Sequence, residues 1–184
     1  SGLSGELHDK GVLLLEGYLR HRYARRQLLS MTATIAVEQS YYEIDGDSAS
    51  AAELAALLSA ISELPIRQDI AVTGAINQQG VIQPVGGIHE KVQGFFQACR
   101  AKGFTGKQGV IVPARNAAAV ILPDAVIQAV EAGRFHIWAA ETIDEVMALL
   151  TGVKAGRNRR NDRFERHSVN EQVRHGLAEL ADLS

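Results

Sequence analysis

The sequence predicts an α+β fold of the α/β-like kind, in which short strands alternate with helices and one pair of strands forms a hairpin. Two observations support this fold class. Apolar residues recur at helical spacing in several stretches, and short β-branched runs such as GVIVP and RFHIWAA lie between them. The 184 residues, of which 46% are hydrophobic and 22% charged, are typical of one globular domain or of one domain with a tail.

Two helices and one strand are predicted in the first third of the chain. In HDKGVLLLEGYLRHRYARRQ, apolar residues from Val12 to Tyr23 recur at helical spacing. The run SMTATIAVEQ alternates from Met31 to Val37, which predicts a strand. AAELAALLSAISEL carries one apolar stripe and predicts a helix that ends before Pro65, because proline cannot continue a helix.

The following stretch predicts the remaining strands and helices of the body. DIAVTG and GVIQP read as two short strands joined through Ala75–Gln79 in a hairpin. After two glycines, IHEKVQGFFQACRAKG predicts a helix that ends at Gly103. GVIVP and RFHIWAA predict strands, IDEVMALL a helix, and residues 116–132 a partly helical segment with a break at Pro123.

The composition changes at Gly152, where an arginine-rich segment with little apolar content begins. We therefore divide the chain into a body, residues 1–151, and a C-terminal tail, residues 152–184, that is partly disordered or ends in a short helix near Val173–Leu183. The arginines of the tail alternate with Asp162 and Glu165, which favours a solvated face over a nucleic-acid site.

Composition and motifs disfavour several classes of function. The net charge of −2 gives no general electrostatic attraction to nucleic acid or to anionic membranes. No apolar run approaches the ~18 residues of a membrane-spanning helix. Cys99 is the single cysteine, which excludes an internal disulfide and fits a reducing compartment, so we expect a cytoplasmic location. No metal motif is present, and GFTGKQG lacks the spacing of a phosphate-binding loop.

Lys91 has the most unusual position among the five lysines. It falls in the first turn of the helix that follows the two glycines, where the helix dipole disfavours a cation. Together with burial, this position would favour the neutral amine, which can act as a general base. The alternative is a solvated surface lysine beside Glu90, and spacing alone favours that alternative.

Ser48 lies at the start of the second predicted helix, where unpaired backbone N–H groups can bind an oxyanion. The alternative is structural, because Ser50 and Glu53 match a capping box. Both interpretations can hold, with Ser50 capping the helix and Ser48 reacting. A serine–histidine triad is disfavoured, because none of the six histidines lies in the context of a nucleophile.

The motifs around these residues resemble those of one protein family. DGDSAS resembles the D-G-x-S-A-G nucleophile motif of Lon proteases. LPIRQDIAVTGAINQQGVIQPVGGIHEKV resembles the family block L-P-x-R-x-D-x-A-M-T-G-E-I-x-L-x-G-x-V-x-P-I-G-G-x-x-E-K, and GVIVPARN resembles its I-P-x-x-N strand end. The resemblance runs roughly from Gly11 to Leu150, and the order of the motifs makes it specific.

The resemblance implies a serine endopeptidase with a Ser-Lys dyad. Ser48 corresponds to the nucleophile and Lys91 to its base, which together cleave unfolded polypeptides through an acyl-enzyme. Thr73 corresponds to a threonine that helps to position the lysine, and Asp45 to an acid that contacts the dyad in some members. Backbone N–H groups at Ser48 and nearby would form the oxyanion hole.

The resemblance also implies a fold and partners. The family fold resembles domain 2 of ribosomal protein S5, and its members form hexameric rings fed by an AAA+ ATPase. No cofactor is expected in this chain, and ATP with Mg²⁺ is expected only on an ATPase domain elsewhere in a longer protein. A membrane partner is not expected.

Three positions depart from the family pattern. Ser50 replaces a glycine, Asp47 a proline and Ala75 a glutamate. The negative charges of Asp45 and Asp47 beside the nucleophile would favour a protonated Lys91. The alternative function is therefore a catalytically silent Lon-like module for ring assembly or substrate docking.

Overall fold

The computed structural model describes residues 6–24, 29–36, 46–118, 120–159 and 163–182, without the side chains of 6–9 and 159. Helices surround a three-stranded parallel sheet, which agrees with the predicted α+β class. The strands are β1 (Ile70–Val72), β4 (Gly109–Pro113) and β5 (His136–Ala140), with β4 in the centre. Strands β1 and β5 therefore both pair with β4.

Helices form at each stretch where apolar spacing predicts one. Their bounds are Glu6–Tyr23 for α1, Ser50–Ser62 for α2, Ile88–Lys102 for α3, Ala114–Ala117 for α4, Asp124–Glu131 for α5, Ile143–Thr151 for α6 and Val169–Asp182 for α7. Gly103 ends α3 with a φ of 89°, a value that favours glycine. Pro123 directly precedes α5, so the predicted break is confirmed.

The central strand β4 separates two apolar cores. Ile111 points into a first core that contains buried side chains of α1, α2, α6 and α7. Val110 and Val112 point the other way, into a second core with Phe96 of α3 and Val126 of α5. Alternate side chains of a strand point to opposite faces of a sheet, and here both faces are covered, as is usual for parallel strands.

The predicted hairpin forms, but its first strand was assigned wrongly. The hairpin joins β2 (Ala75–Ile76) to β3 (Ile82–Gln83), whereas the DIAVTG segment pairs in parallel with β4. Gly74 lies between β1 and β2, and a Cβ added at Gly74 would lie 2.7 Å from Ile82 Cγ2. Asn77 closes the hairpin because its Oδ1 accepts from the N–H groups of residues 79 and 81.

The strand predicted for SMTATIAVEQ is wrong in its described part. Residues 29–36 have no regular secondary structure, and residues 37–39 lie outside the described residues. Leu29 and Met31 pack against the first core, whereas residues 32–36 are exposed. An alternating pattern becomes a strand only with a hydrogen-bonded neighbour, and no described strand pairs with this segment.

The tail packs against the body in its described part. It contains a hairpin of β6 (Asn158–Arg159) and β7 (Arg163–Phe164), and then α7. Val173 and Leu177 of α7 are buried in the first core, so the predicted terminal helix exists and begins earlier, at Val169. The division of the chain at Gly152 stays a prediction.

A partly buried polar cluster joins α1 to the tail. The Tyr23 hydroxyl donates to Asn170 Oδ1. Asn170 Nδ2 in turn donates to Asp144 Oδ1 at 3.2 Å and to the Gly156 carbonyl at 3.0 Å. The Arg22 guanidinium pairs with Asp144 at 2.8 Å. These contacts connect α1, α6 and α7.

The two tyrosines of α1 predict a loss of stability in alkaline solution. Burial, with a smaller effect of Asp144, raises the pKa of Tyr18 to about 12, and burial raises that of Tyr23 well above its ordinary value. Above pH ~10 the unfolded chain ionises while the folded chain keeps its protons, so the free energy of unfolding falls until pH ~12. Tyr18→Phe should lessen this fall by up to about 1.4 kcal/mol per pH unit.

Chemical denaturation at pH 8, 10 and 11 measures this difference, with the wild-type value at pH 8 as the reference. The same slope of unfolding free energy against pH in both proteins would contradict the expectation.

Candidate active site

Ser48 and Lys91 lie within hydrogen-bonding distance of each other. Lys91 Nζ donates to Ser48 Oγ at 3.1 Å, across 43 positions of the sequence. A serine nucleophile and its base require this contact. Ser48 is half-buried and Lys91 is exposed, so the described residues of one chain leave this contact open to water.

Backbone hydrogen bonds hold residues 47–51, which we name the nucleophile turn, against the end of β1. The Gly74 N–H donates to the Ser48 carbonyl at 2.9 Å, and the Ala51 N–H donates to the Gly74 carbonyl at 3.1 Å. Within the turn, the Ser50 N–H donates to the Asp47 carbonyl at 3.0 Å. The backbone of Ser48 is thereby fixed to the sheet.

Ser50 contributes to this attachment, and the predicted capping box is wrong. Ala49 occupies the N-cap position without a side-chain cap, and α2 already begins at Ser50. The Ser50 side chain is buried. Its Oγ donates to the Asp47 carbonyl at 2.7 Å and accepts from the Ile76 N–H at 3.0 Å. The hydroxyl therefore bonds to β2 instead of forming a reciprocal pair with Glu53.

The free backbone donors lie before α2 and not within its first turn. The N–H groups of residues 50–53 all donate to carbonyls of the chain, those of Asp47, Ala49 and Gly74. In the part of the chain that the structure describes, the N–H groups of Ser48 and Ala49 have no such partner. These two groups are the candidates for binding an oxyanion.

Lys91 lies in the first turn of α3, as the sequence predicts. The helix follows Gly87, whose φ of 64° favours glycine, and the Lys91 N–H donates to the Gly87 carbonyl at 3.1 Å. Before the glycines, the Asn116 carboxamide bonds to both backbone groups of Val85. No role for Asn116 is predicted from the sequence, although the residue lies in the GVIVPARN motif, three positions after the buried strand β4.

Of the two predicted supporting residues, the structure describes Thr73. Thr73 directly follows β1, and its N–H donates to the Ile111 carbonyl at 3.1 Å. Among the described contacts its hydroxyl makes no hydrogen bond to Lys91. Asp45 lies outside the described residues. Asp47 is half-buried, and no described ion pair joins it to Lys91. The roles of Thr73 and Asp45 stay predictions.

Metal-binding groups and membrane-spanning helices are absent from the described residues. Within the described ranges, no three histidine, cysteine or acidic side chains form a group that could hold a metal ion. In the same ranges no helix combines the length and the apolar content that crossing a membrane requires.

Comparison with known proteins identifies the family. The family profile of the Lon protease (S16) C-terminal proteolytic domain matches residues 24–152, more than half of the chain. The chain belongs to the Lon protease family. The match begins directly after α1 and stops at the start of the tail. Helices α1 and α7, which the partly buried polar cluster joins to α6, therefore lie outside the Lon profile.

Several relatives carry the Lon name. A Lon protease homolog of Escherichia coli (strain K12) is 44% identical over 148 residues, which are 80% of this chain and 25% of that protein. One of Haemophilus influenzae is 43% identical over 150 residues, 82% of this chain and 25% of that protein. An archaeal Lon protease of Thermococcus kodakarensis is 31% identical over 150 residues, 81% of this chain and 21% of that protein. The chain thus spans a quarter or less of these Lon relatives.

Proposed function

We propose that this chain is the proteolytic part of an ATP-dependent serine endopeptidase that cleaves unfolded polypeptides. Ser48 is the nucleophile of the proposed reaction and Lys91 its base. The observation that carries the proposal is the 3.1 Å contact between Lys91 Nζ and Ser48 Oγ, in a chain of the Lon protease family. The protease names of its relatives support the same class of reaction.

In the proposed mechanism, Ser48 Oγ attacks the carbonyl carbon of the scissile peptide bond while the neutral Lys91 amine accepts the hydroxyl proton. The N–H groups of Ser48 and Ala49 donate to the oxyanion. Lys91 then returns the proton to the leaving amine, the C–N bond breaks, and an acyl ester remains on Ser48. A water molecule that gives its proton to Lys91 hydrolyses the ester and restores both residues.

The wider assembly is part of the proposal. We expect a hexameric ring in the cytoplasm, an AAA+ ATPase domain that carries ATP and Mg²⁺ and feeds substrate, and a fold like that of domain 2 of ribosomal protein S5. Thr73 and Asp45 are proposed to support the dyad. The Lon family membership and the mixed fold around a parallel sheet support these expectations.

A second candidate is a catalytically silent Lon-like module for ring assembly or substrate docking. The exposure of Lys91 favours it, because the described residues of one chain leave the Ser48–Lys91 contact open to water, whereas catalytic sites usually exclude water.

A covalent probe distinguishes the two candidates. We expect an alkyl fluorophosphonate to modify the chain once, at Ser48, as located by peptide mass spectrometry, and to leave Ser48→Ala unmodified. Ser59→Ala is the matched control, because Ser59 is a half-buried serine of α2 whose hydroxyl donates to the Leu64 carbonyl and has no basic partner among the described residues. A wild-type chain that stays unmodified at Ser48 would favour the silent module.

A further inference from the structure

The Asn116 side chain forms a closed pair of hydrogen bonds with one residue of a distant loop. Asn116 Oδ1 accepts from the Val85 N–H at 3.0 Å, and Asn116 Nδ2 donates to the Val85 carbonyl at 3.0 Å. The two residues are 31 positions apart. The carboxamide thus satisfies both backbone groups of Val85, as a neighbouring strand would do.

The loop that Asn116 holds leads directly to Lys91. It comprises residues 84–87 between β3 and α3, and it contains Gly86 and Gly87, which are exposed. In the described part of the chain, the Asn116 pair provides the hydrogen bonds of this loop to anything other than α3. A short loop with two glycines is conformationally permissive, so these bonds, together with the packing of Val85 against the second core, hold the loop before α3.

Asn116 itself lies on a well-fixed element. It belongs to α4, which directly follows the buried central strand β4. The same strand holds the other half of the site, because the Ile111 carbonyl accepts from the Thr73 N–H and the adjacent Gly74 bonds to the nucleophile turn. Both halves of the Ser48–Lys91 pair are therefore placed relative to β4.

We propose that Asn116 is a positioning residue for Lys91, which sets the distance between Lys91 Nζ and Ser48 Oγ through Val85 and the start of α3. The inference rests on the proposed function. Without the carboxamide, the loop keeps only the packing of Val85 against the second core, and the first turn of α3, which carries Lys91, can shift. Misplacement by about 1 Å is enough to reduce a catalysed rate by about 100-fold.

The test compares two amide residues that bond to loops at opposite ends of α3. Gln108 is the matched control, because it is buried and its Oε1 accepts from the Thr105 N–H while its Nε2 donates to the Gly103 carbonyl. The rate of fluorophosphonate reaction at Ser48 is measured as a function of probe concentration. This separates the maximal rate of covalent reaction from the concentration that gives half of it.

We expect Asn116→Ala to lower the maximal rate by about 10- to 100-fold without changing the half-saturating probe concentration. Asn116→Asp should be lowered as strongly, because a carboxylate accepts from the Val85 N–H but repels the Val85 carbonyl. Gln108→Ala should react like the wild type, even where both alanine variants lose the same thermal stability.

The outcomes separate the inference from the proposed function. Wild-type kinetics in Asn116→Ala, or an equal loss of rate in Gln108→Ala, would overturn the positioning role and leave the Ser48–Lys91 proposal intact. A higher half-saturating concentration at an unchanged maximal rate would also overturn it, because that result indicates a role in binding. If Ser48 of the wild type does not react, the proposed function fails, and this inference fails with it.

Discussion

Replacing Lys91 by either alanine or arginine is expected to abolish peptide cleavage. Proton transfer by a positioned base contributes about 10²- to 10⁴-fold to a rate, and we expect a loss of that size in kcat for Lys91→Ala. Lys91→Arg keeps the positive charge within reach of Ser48 but carries a guanidinium that does not lose its proton in proteins. Equal losses in both variants would identify the neutral amine, and not the charge, as the active form.

The measurement is the hydrolysis of an unfolded reporter polypeptide by the full-length protein in the presence of ATP. Lys102→Ala is the matched control, because Lys102 is an exposed lysine at the opposite end of α3. Unfolding temperatures establish that each variant is folded. Activity that survives in Lys91→Arg would rule out the general-base role, and activity that survives in Lys91→Ala would rule out any catalytic role.

Replacing Gly176 by alanine is expected to lower the stability of the fold by about 1–3 kcal/mol, the usual cost of overpacking a tight contact. An added Cβ at Gly176 would lie 1.9 Å from the Ile61 carbonyl oxygen and 3.0 Å from its carbon. These are backbone atoms of α2 and cannot rotate away, so α7 must move outward. A loss of this size lowers the unfolding temperature by roughly 2–4 °C per kcal/mol in a domain of this length.

Gly94→Ala is the matched control for this substitution. Gly94 is an exposed glycine within α3, and apart from the adjacent backbone of its own helix no atom lies within 4 Å of its added Cβ. Alanine is the better helix former by roughly 0.5–1 kcal/mol, so this variant should be more stable than the wild type. Calorimetry should therefore give a lower unfolding temperature for Gly176→Ala and a higher one for Gly94→Ala. An unfolding temperature of Gly176→Ala that rises with that of Gly94→Ala would contradict the close contact of α2 with α7.

The helices could be predicted because their signals are local. The apolar stripe of α2, the stop at Gly103 and the break at Pro123 are each contained in a few neighbouring residues. Strands depend on partners elsewhere in the chain. The alternation of residues 31–37 therefore predicted a strand for which the described residues offer no neighbour. The hairpin was misplaced because the bend at Gly74 depends on contacts with Ile82.

The candidate site shows the same division. Ser48 and Lys91 could be paired from the order of their motifs, and the structure brings their side chains together. The Ser50–Glu53 spacing suggested a cap, but the Ser50 hydroxyl instead accepts from the N–H of Ile76, 26 positions away. Asn116 lies in the GVIVPARN motif, but its partner could not be predicted from that motif, since Val85 is 31 positions away and meets Asn116 only in the folded chain.

The attachments of the dyad differ in stiffness. Three hydrogen bonds join the nucleophile turn to residues 74–76, whereas Lys91 reaches Ser48 through a long, exposed side chain on a helix that follows two glycines. Any change in the separation of Lys91 Nζ from Ser48 Oγ must therefore come mainly from the lysine. In an inactive state of this site, we expect Ser48 Oγ to keep its position and Lys91 Nζ to lie farther away. Crystal structures of an active and an inactive state would show this difference.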